Sequence, residues 1–202
     1  MIGQKRVNSM EVKLLDSTTD PLFVISMAAR TCYNSRKKDT PMGRADFVKG
    51  LIKAGHETPL EFASATFDVT GISISCQNQM VRHRHASFCV QSGRYVDQRE
   101  NDCIIPYGVL SEYEGAADYV KEAKELYKKL VINGVRCEDA RALLPQGMAT
   151  RLCVNMNFRT LRHFLKLRLH PTAQWEVRQV ARKMYEIAQD KWPWLVEDIQ
   201  AD

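Results

Sequence analysis

The chain has 202 residues, 45% of them hydrophobic and 26% charged, with a formal net charge of +5. These values suit a globular core in one domain or two small ones, and a charge this modest permits a nucleic-acid partner without demanding one. Nucleotide or folate anions would be served equally well. No apolar run reaches the length of a membrane span, and Met1 to Lys13 lacks a signal-peptide core. Six scattered cysteines, Cys32, Cys76, Cys89, Cys103, Cys137 and Cys153, never form C-x-x-C, as expected of a reduced cytoplasmic protein.

In chain order, Glu11 to Leu15 reads as a strand. Asp20-Pro21 predicts an N-cap with Pro at the first helical position, opening a helix with Leu22, Ile25, Ala28 and Ala29 at helical spacing. Thr40-Pro41 opens a second helix, with Phe47 and Leu51 inward and Gly55 near its end. Ala63 to Val69 alternates as a strand. From about Ser73 the spacing of Cys76, Met80 and Arg84 favours a helix, placing Gln79, Arg82 and His83 on one face. The chain then runs extended or looped to Ser92-Gly93. Ser111 to Glu114 reads as a capping box starting a long helix to about Ile132, ended by Asn133-Gly134. Cys137 to Leu144 is a short helix stopped by Pro145. Asn157 caps a helix to about Leu169, Gln174 to Gln189 is a last amphipathic helix, and Trp192-Pro193-Trp194 closes the chain. Many helices with a few early strands and no clear linker predict one α+β domain over residues 1–202.

The segment Arg82 to Arg94 holds three arginines, two histidines, two serines and no acid; the nearest downstream carboxylate is Asp97. Guanidinium forks match phosphate oxygens, and Ser hydroxyls with a Gly-exposed backbone add shorter donors. The plain alternative is a solvated basic face, but interleaved Phe88, Cys89 and Val90 imply partial burial. His83 and His85 would share a face on a strand, yet neighbouring arginines disfavour a cation, so no metal site is expected. Cys89 beside basic residues could be a nucleophile, but no base is in evidence and a buried, inert thiol is the expectation.

In Asn157 to Arg168, Leu161, Phe164, Leu165 and Arg168 share a helical stripe. Arg168 is either a snorkelling cation at a helix C-terminus or an arginine reaching a buried ligand. Asn157, Arg159 and His163 form a separate polar edge. Gly55-His56-Glu57-Thr58-Pro59 is a helix stop and turn whose His56 is structural or acid/base. Arg141 reads by itself as a surface charge.

Together these pieces resemble the flavin-dependent thymidylate synthases. Arg82-His83-Arg84, Ser87, Ser92 and Arg94 match that family's signature at every defined position. The Gly55 to Pro59 turn, Ala140-Arg141, Leu144-Pro145, Asn157-x-Arg159 with Arg168 following, and Ala173-Gln174-Trp175-Glu176 are also similar, in the same order. The resemblance implies an α+β fold, a small central sheet surrounded by helices, assembled as a homotetramer with active sites shared between subunits. It implies methylation of dUMP to dTMP, with methylenetetrahydrofolate as carbon donor and FAD, reduced by NADPH, as hydride source. No enzyme nucleophile is then required.

Carried over by position, the resemblance gives His56, Arg82, His83, Arg84, Asn157, Arg159 and His163 to FAD. It gives Gln79, Arg82, Ser92, Gly93, Arg94, Arg141 and Arg168 to dUMP, with Gln91 taking over a polar contact. Arg168 would face the uracil and stabilise developing negative charge, and Ser92 would position substrate rather than attack it. The chain departs from the family at Cys89-Val90, where many members carry Asn-Glu, and at His163, where some carry Asn. Because of Val90, the alternatives are a relative that binds FAD and nucleotide with weakened or lost turnover, or a basic nucleic-acid-binding module. The expected partners are small molecules and copies of the chain itself, with neither nucleic acid nor membrane.

Overall fold

Alternation decides the sheet. Along β2 (Ser64–Ser73), Ala65, Phe67 and Val69 are buried; along β4 (Ala149–Asn157), Leu152, Val154 and Met156 are buried. A period of two puts all six on one face. The computed structural model describes residues 10–201, so most of the Met1 to Lys13 segment lies outside the described residues. Strand order is β1-β2-β4-β3, with β1 (Glu11–Ser17) and β3 (Ser87–Val90) at the edges and every pairing antiparallel.

The apolar face is covered by α1 (Pro21–Thr31), α2 (Arg44–Lys53), α3 (Ile74–Met80), α7 (Phe158–Arg168), α8 (Trp175–Lys191) and α9 (Pro193–Val196), whose inward residues join one cluster. The opposite face is polar. There Arg151 forks onto Asp68 at 2.9 and 2.9 Å, and Asn155 donates to Thr66 at 2.8 Å. Between β3 and β4 the chain makes an excursion through α4 (Tyr107–Glu112), α5 (Ala116–Ile132) and α6 (Cys137–Ala140). Buried Tyr127 of α5 ties it down, its hydroxyl accepting from the Gln98 backbone at 3.2 Å. The architecture is α+β, as expected.

The helices expected to be capped by Asp20 and Asn157, and to start near Ser73, begin there. Asp20 accepts from the Phe23 N–H at 3.0 Å, Ser73 from Cys76 at 3.0 Å, and Asn157 from Thr160 at 2.8 Å. Other expectations need correction. Between Pro145 and Asn157, where no element was expected, runs β4, a central strand. Ser111 caps nothing: it lies inside α4 and bonds the Gly108 carbonyl at 3.1 Å, because Pro106 opens a separate short helix. α5 begins after Gly115, where an added Cβ would meet the Tyr113 ring at 2.6 Å. Pro41 opens a single 3-10 turn, and α2 proper begins at Arg44. Its fully buried residue is Val48; Phe47 and Leu51 are half-buried, Phe47 beneath the Arg30 guanidinium.

Candidate active site

α3 ends at Met80, and a turn follows, with His83 N–H donating to the Met80 carbonyl and Ala86 N–H to that of His83. This separates residues expected on one helical face. His83 turns inward and is 7% exposed, while Gln79, Arg82, Arg84 and His85 face out. His83 and His85 therefore share no face. The His83 ring packs edge-on against Phe164 at 4.8 Å and lies 6.0 Å from His163.

Arg168, half-buried at the end of α7, reaches back to this turn. Its Nε donates to His83 Nε2 at 2.9 Å and its Nη2 to the Gln79 carbonyl at 3.2 Å. Both acceptors are neutral, and no carboxylate pairs with Arg168 among the described residues. Burial first, then the charges of Arg168 and His163, push the His83 pKa down to about 4. The imidazole is thus a fixed acceptor at neutral pH. The stripe residues Leu161, Phe164 and Leu165 are fully buried, so Arg168 is the polar end of a core helix face.

β3 carries the signature onward. Phe88 and Val90 face the core, Val90 opposite Leu152, which gives the apolar residue at position 90 a packing role. Cys89 points to the other face, is exposed and lies opposite Cys153, contrary to the expected buried thiol. Gln91 N–H donates to Arg151, and a turn follows in which the Ser92 hydroxyl accepts from Arg94 N–H at 3.2 Å. Beside that turn lies a cavity of about 320 Å³ whose lining includes Gln91, Gly93 and Arg141. Arg141 lies over the Gly93 backbone, where a Cβ would sit in ordinary van der Waals contact with Arg141 Cδ and Nη1 at 3.4 Å.

Three glutamines that sequence reasoning missed, Gln77, Gln98 and Gln146, line the same cavity. No local pattern marks them; they meet only when α3, the post-β3 loop and the segment before β4 converge. Glu138 was missed too. It pairs with Arg94 and, at 2.8 Å, with Arg136, while its carbonyl accepts from Arg141 Nε at 3.2 Å. Its sequence signal was only its place one helical turn before Arg141.

The remaining expected residues form no single cluster with these. Asn157 spends its side-chain oxygen on capping α7, and Arg159 pairs with Glu61 at 2.6 Å. His56 is exposed after Gly55, whose φ of +75° makes the helix stop. Arg82 and Arg84 have no ion-pair partner among the described residues. The cavity itself is lined by one arginine, Arg141, which has no ion-pair partner among the described residues, and by glutamine amide donors, a set that suits a phosphate-bearing ligand.

The family model described as "Thymidylate synthase complementing protein" matches residues 13–194. The chain belongs to the flavin-dependent thymidylate synthase family. Flavin-dependent thymidylate synthases similar to it include that of Geobacter sulfurreducens, 37% identical over 94% of this chain and 86% of the relative. That of Thermococcus kodakarensis is 40% identical over 89% and 78%, and that of Haloarcula marismortui 34% identical over 91% and 92%. The synthase match extends from within β1 to α9, so every element of the site lies inside it.

Proposed function

We propose that the cavity beside Gly93 and the Arg168 turn form one active site. There the synthase methylates dUMP to dTMP, with methylenetetrahydrofolate as carbon donor. Family membership supports the reaction class; the residue roles rest on the geometry. Arg94 and Arg141 hold the substrate phosphate, Ser92 shapes the turn that presents Arg94, and Gln91, Gly93, Gln79 and Arg82 complete the nucleotide contacts. Arg168 faces the uracil. The single observation that carries this reading is the state of Arg168: it is oriented by two neutral acceptors and, among the described residues, paired with no carboxylate. A cation held so keeps its field for negative charge developing on a pyrimidine ring.

Bound FAD, reduced by NADPH, supplies the hydride. Around it this chain supplies Arg82 and Arg84 as exposed unpaired cations, His83 and His163 as the ring pair beside Arg168, and His56, Asn157 and Arg159 on the flanking turn and helix start. Their donor chemistry fits an anionic dinucleotide.

The protein functions as one cytoplasmic domain over residues 1–202, and its partners are small molecules and its own copies. A homotetramer with shared sites is supported by exposed apolar side chains on the excursion, including Tyr107, Leu110, Tyr119, Leu126 and Ile132. It is supported also by the separation of His56 and Arg159 from the cavity. Among the described residues no helix is long and apolar enough to cross a membrane.

The test is spectroscopic. Purified protein should carry a flavin spectrum that changes on adding dUMP, and it should oxidise NADPH in a dUMP-dependent way with formation of dTMP. A colourless protein that fails to take up added FAD would overturn the reading.

A further inference from the structure

Glu176 is a carboxylate 2% exposed, on the first turn of α8, with no cation partner among the described residues. A buried charge without a counter-ion is costly and persists only where donors saturate it. Here the donors belong to one residue. Ser73 N–H donates to Oε1 at 2.6 Å and Ser73 Oγ to Oε2 at 2.5 Å. The same hydroxyl accepts from Cys76 N–H at 3.0 Å, so both of its roles are used. The two preceding N–H groups of α3 are also docked, Ile74 on the Met148 carbonyl and Ser75 on that of Gln146, each at 3.1 Å. The start of α3 is thus fixed in position and along its axis.

The other end of α3 is where Arg168 attaches, through the Gln79 carbonyl and through His83 just beyond the helix. A carboxylate at the N-terminus and a guanidinium at the C-terminus complement the helix dipole at both ends. At roughly 1.5 Å per residue this short helix spans only about 10 Å, with no flexible joint between its two anchors. α7, which carries Arg168, and α8, which carries Glu176, are both rooted in the core through Leu165 and Val177. The three helices close a ring in which the reach of Arg168 depends on where α3 is held.

We infer that Glu176 is a positioning residue for Arg168, acting through Ser73 and α3. The inference rests on the active-site reading above, in which Arg168 faces the uracil. With the carboxylate neutralised, α3 loses its fixed start, and Arg168 loses the carbonyl and imidazole that aim it.

A double-mutant cycle on the flavin-loaded enzyme tests this. Glu176→Gln should lower the rate of dTMP formation about tenfold or more, leaving flavin occupancy and NADPH-driven flavin reduction without nucleotide within about twofold. In an Arg168→Ala background, the same substitution should change the residual rate, followed radiochemically, by less than about twofold. An undiminished rate in Glu176→Gln would overturn the inference. So would an equal further loss in the Arg168→Ala background, or a parallel fall in flavin reduction, since a merely structural role predicts both. If Glu176→Gln yields no folded flavoprotein, Ser73→Ala goes through the same cycle. That variant keeps the Ser73 N–H bond to the carboxylate and removes the hydroxyl's bonds to Glu176 and from Cys76 N–H; about a threefold loss, absent without Arg168, is expected. Additivity there overturns the inference. Wild-type enzyme is the control: failure to make dTMP from dUMP sinks the functional reading, whereas an additive cycle in a working enzyme sinks only the role of Glu176.

Discussion

Arg162 and Arg168 stand on the same helix, α7, in opposite surroundings. Arg162 is 1% exposed and saturated: its forks meet Asp198 at 2.7 and 2.8 Å, its Nε meets Glu57 at 3.3 Å, and the Leu195 carbonyl takes a further bond. It ties the turn after His56 to the C-terminal segment. Arg168 is half-buried and, among the described residues, hydrogen-bonds to an imidazole and a carbonyl and to no carboxylate. A guanidinium locked to carboxylates has its field cancelled and serves as a fastener. One held by neutral acceptors is equally well oriented but keeps its charge for a ligand. The same division recurs among the other described residues, where Arg44 is locked to Asp39 and Arg151 to Asp68, while Arg82 and Arg84 have no ion-pair partner.

The largest expected effect tests the free arginine. Arg168→Ala should lower dTMP formation by about 10²- to 10³-fold, the scale for removing an electrostatic donor to a developing charge. Flavin content and melting temperature should stay near wild type. Retained turnover in a steady-state assay would remove Arg168 from its role.

Arg162→Met should do the reverse, destabilising the fold by about 2 kcal/mol in a denaturant titration, because it leaves the buried Leu195 carbonyl without its donor and unties the partly exposed Glu57 and Asp198. Activity per folded, flavin-loaded molecule should change little. The same fastener predicts an acid limit. The Arg162 hydrogen bond holds the Asp198 carboxyl well below the usual carboxylate range, with Lys166 adding to it and burial opposing. A depressed carboxylate stabilises the fold above its unfolded pKa and loses that contribution as pH falls. Stability should therefore drop below about pH 4 in wild type, and less steeply in Arg162→Met.

A smaller effect should come from Glu138, which pairs with Arg94, the arginine proposed to hold the phosphate. Glu138→Gln should make that arginine resemble Arg168 in being uncompensated. The KM for dUMP is then expected to fall by roughly threefold to tenfold, with a steeper salt dependence. An unchanged or raised KM would show that the pair aligns Arg94 rather than competing for it.

The subtlest test concerns His83. Its pKa near 4 lies below the ordinary histidine value, so the unfolded chain takes up a proton first as pH falls from about 6.5. His83 should therefore subtract stability between about pH 6.5 and 4, and its bond from Arg168 should survive throughout that window. An imidazole resonance titrating near 4 by NMR is expected; titration near 6.5 would mean that the buried turn is not formed.

Much of this was legible in sequence because it is local. Asp20 and Asn157 cap the helices they precede, since a side-chain oxygen reaches an N–H only two or three residues on. β4 was not legible, although Leu152, Val154 and Met156 alternate: it lies between a proline-stopped helix and a capped one, and only its partners β2 and β3 make it central. The capping box at Ser111 failed because Pro106 starts a competing turn. The signature marked an anion site, but not that His83 would be buried while Arg82 and Arg84 remain outside.

By itself the sequence determined the family, the α+β class and the order of the residues that carry the chemistry, because motif spacing and periodicity are written along the chain. Tertiary structure alone decided which arginine is a fastener and which is free. Arg162 and Arg168 carry the same charge on the same helix. The difference lies in Glu57, Asp198, His83 and Gln79, which reach them from distant parts of the chain, and a charge has no available field until its neighbours are known.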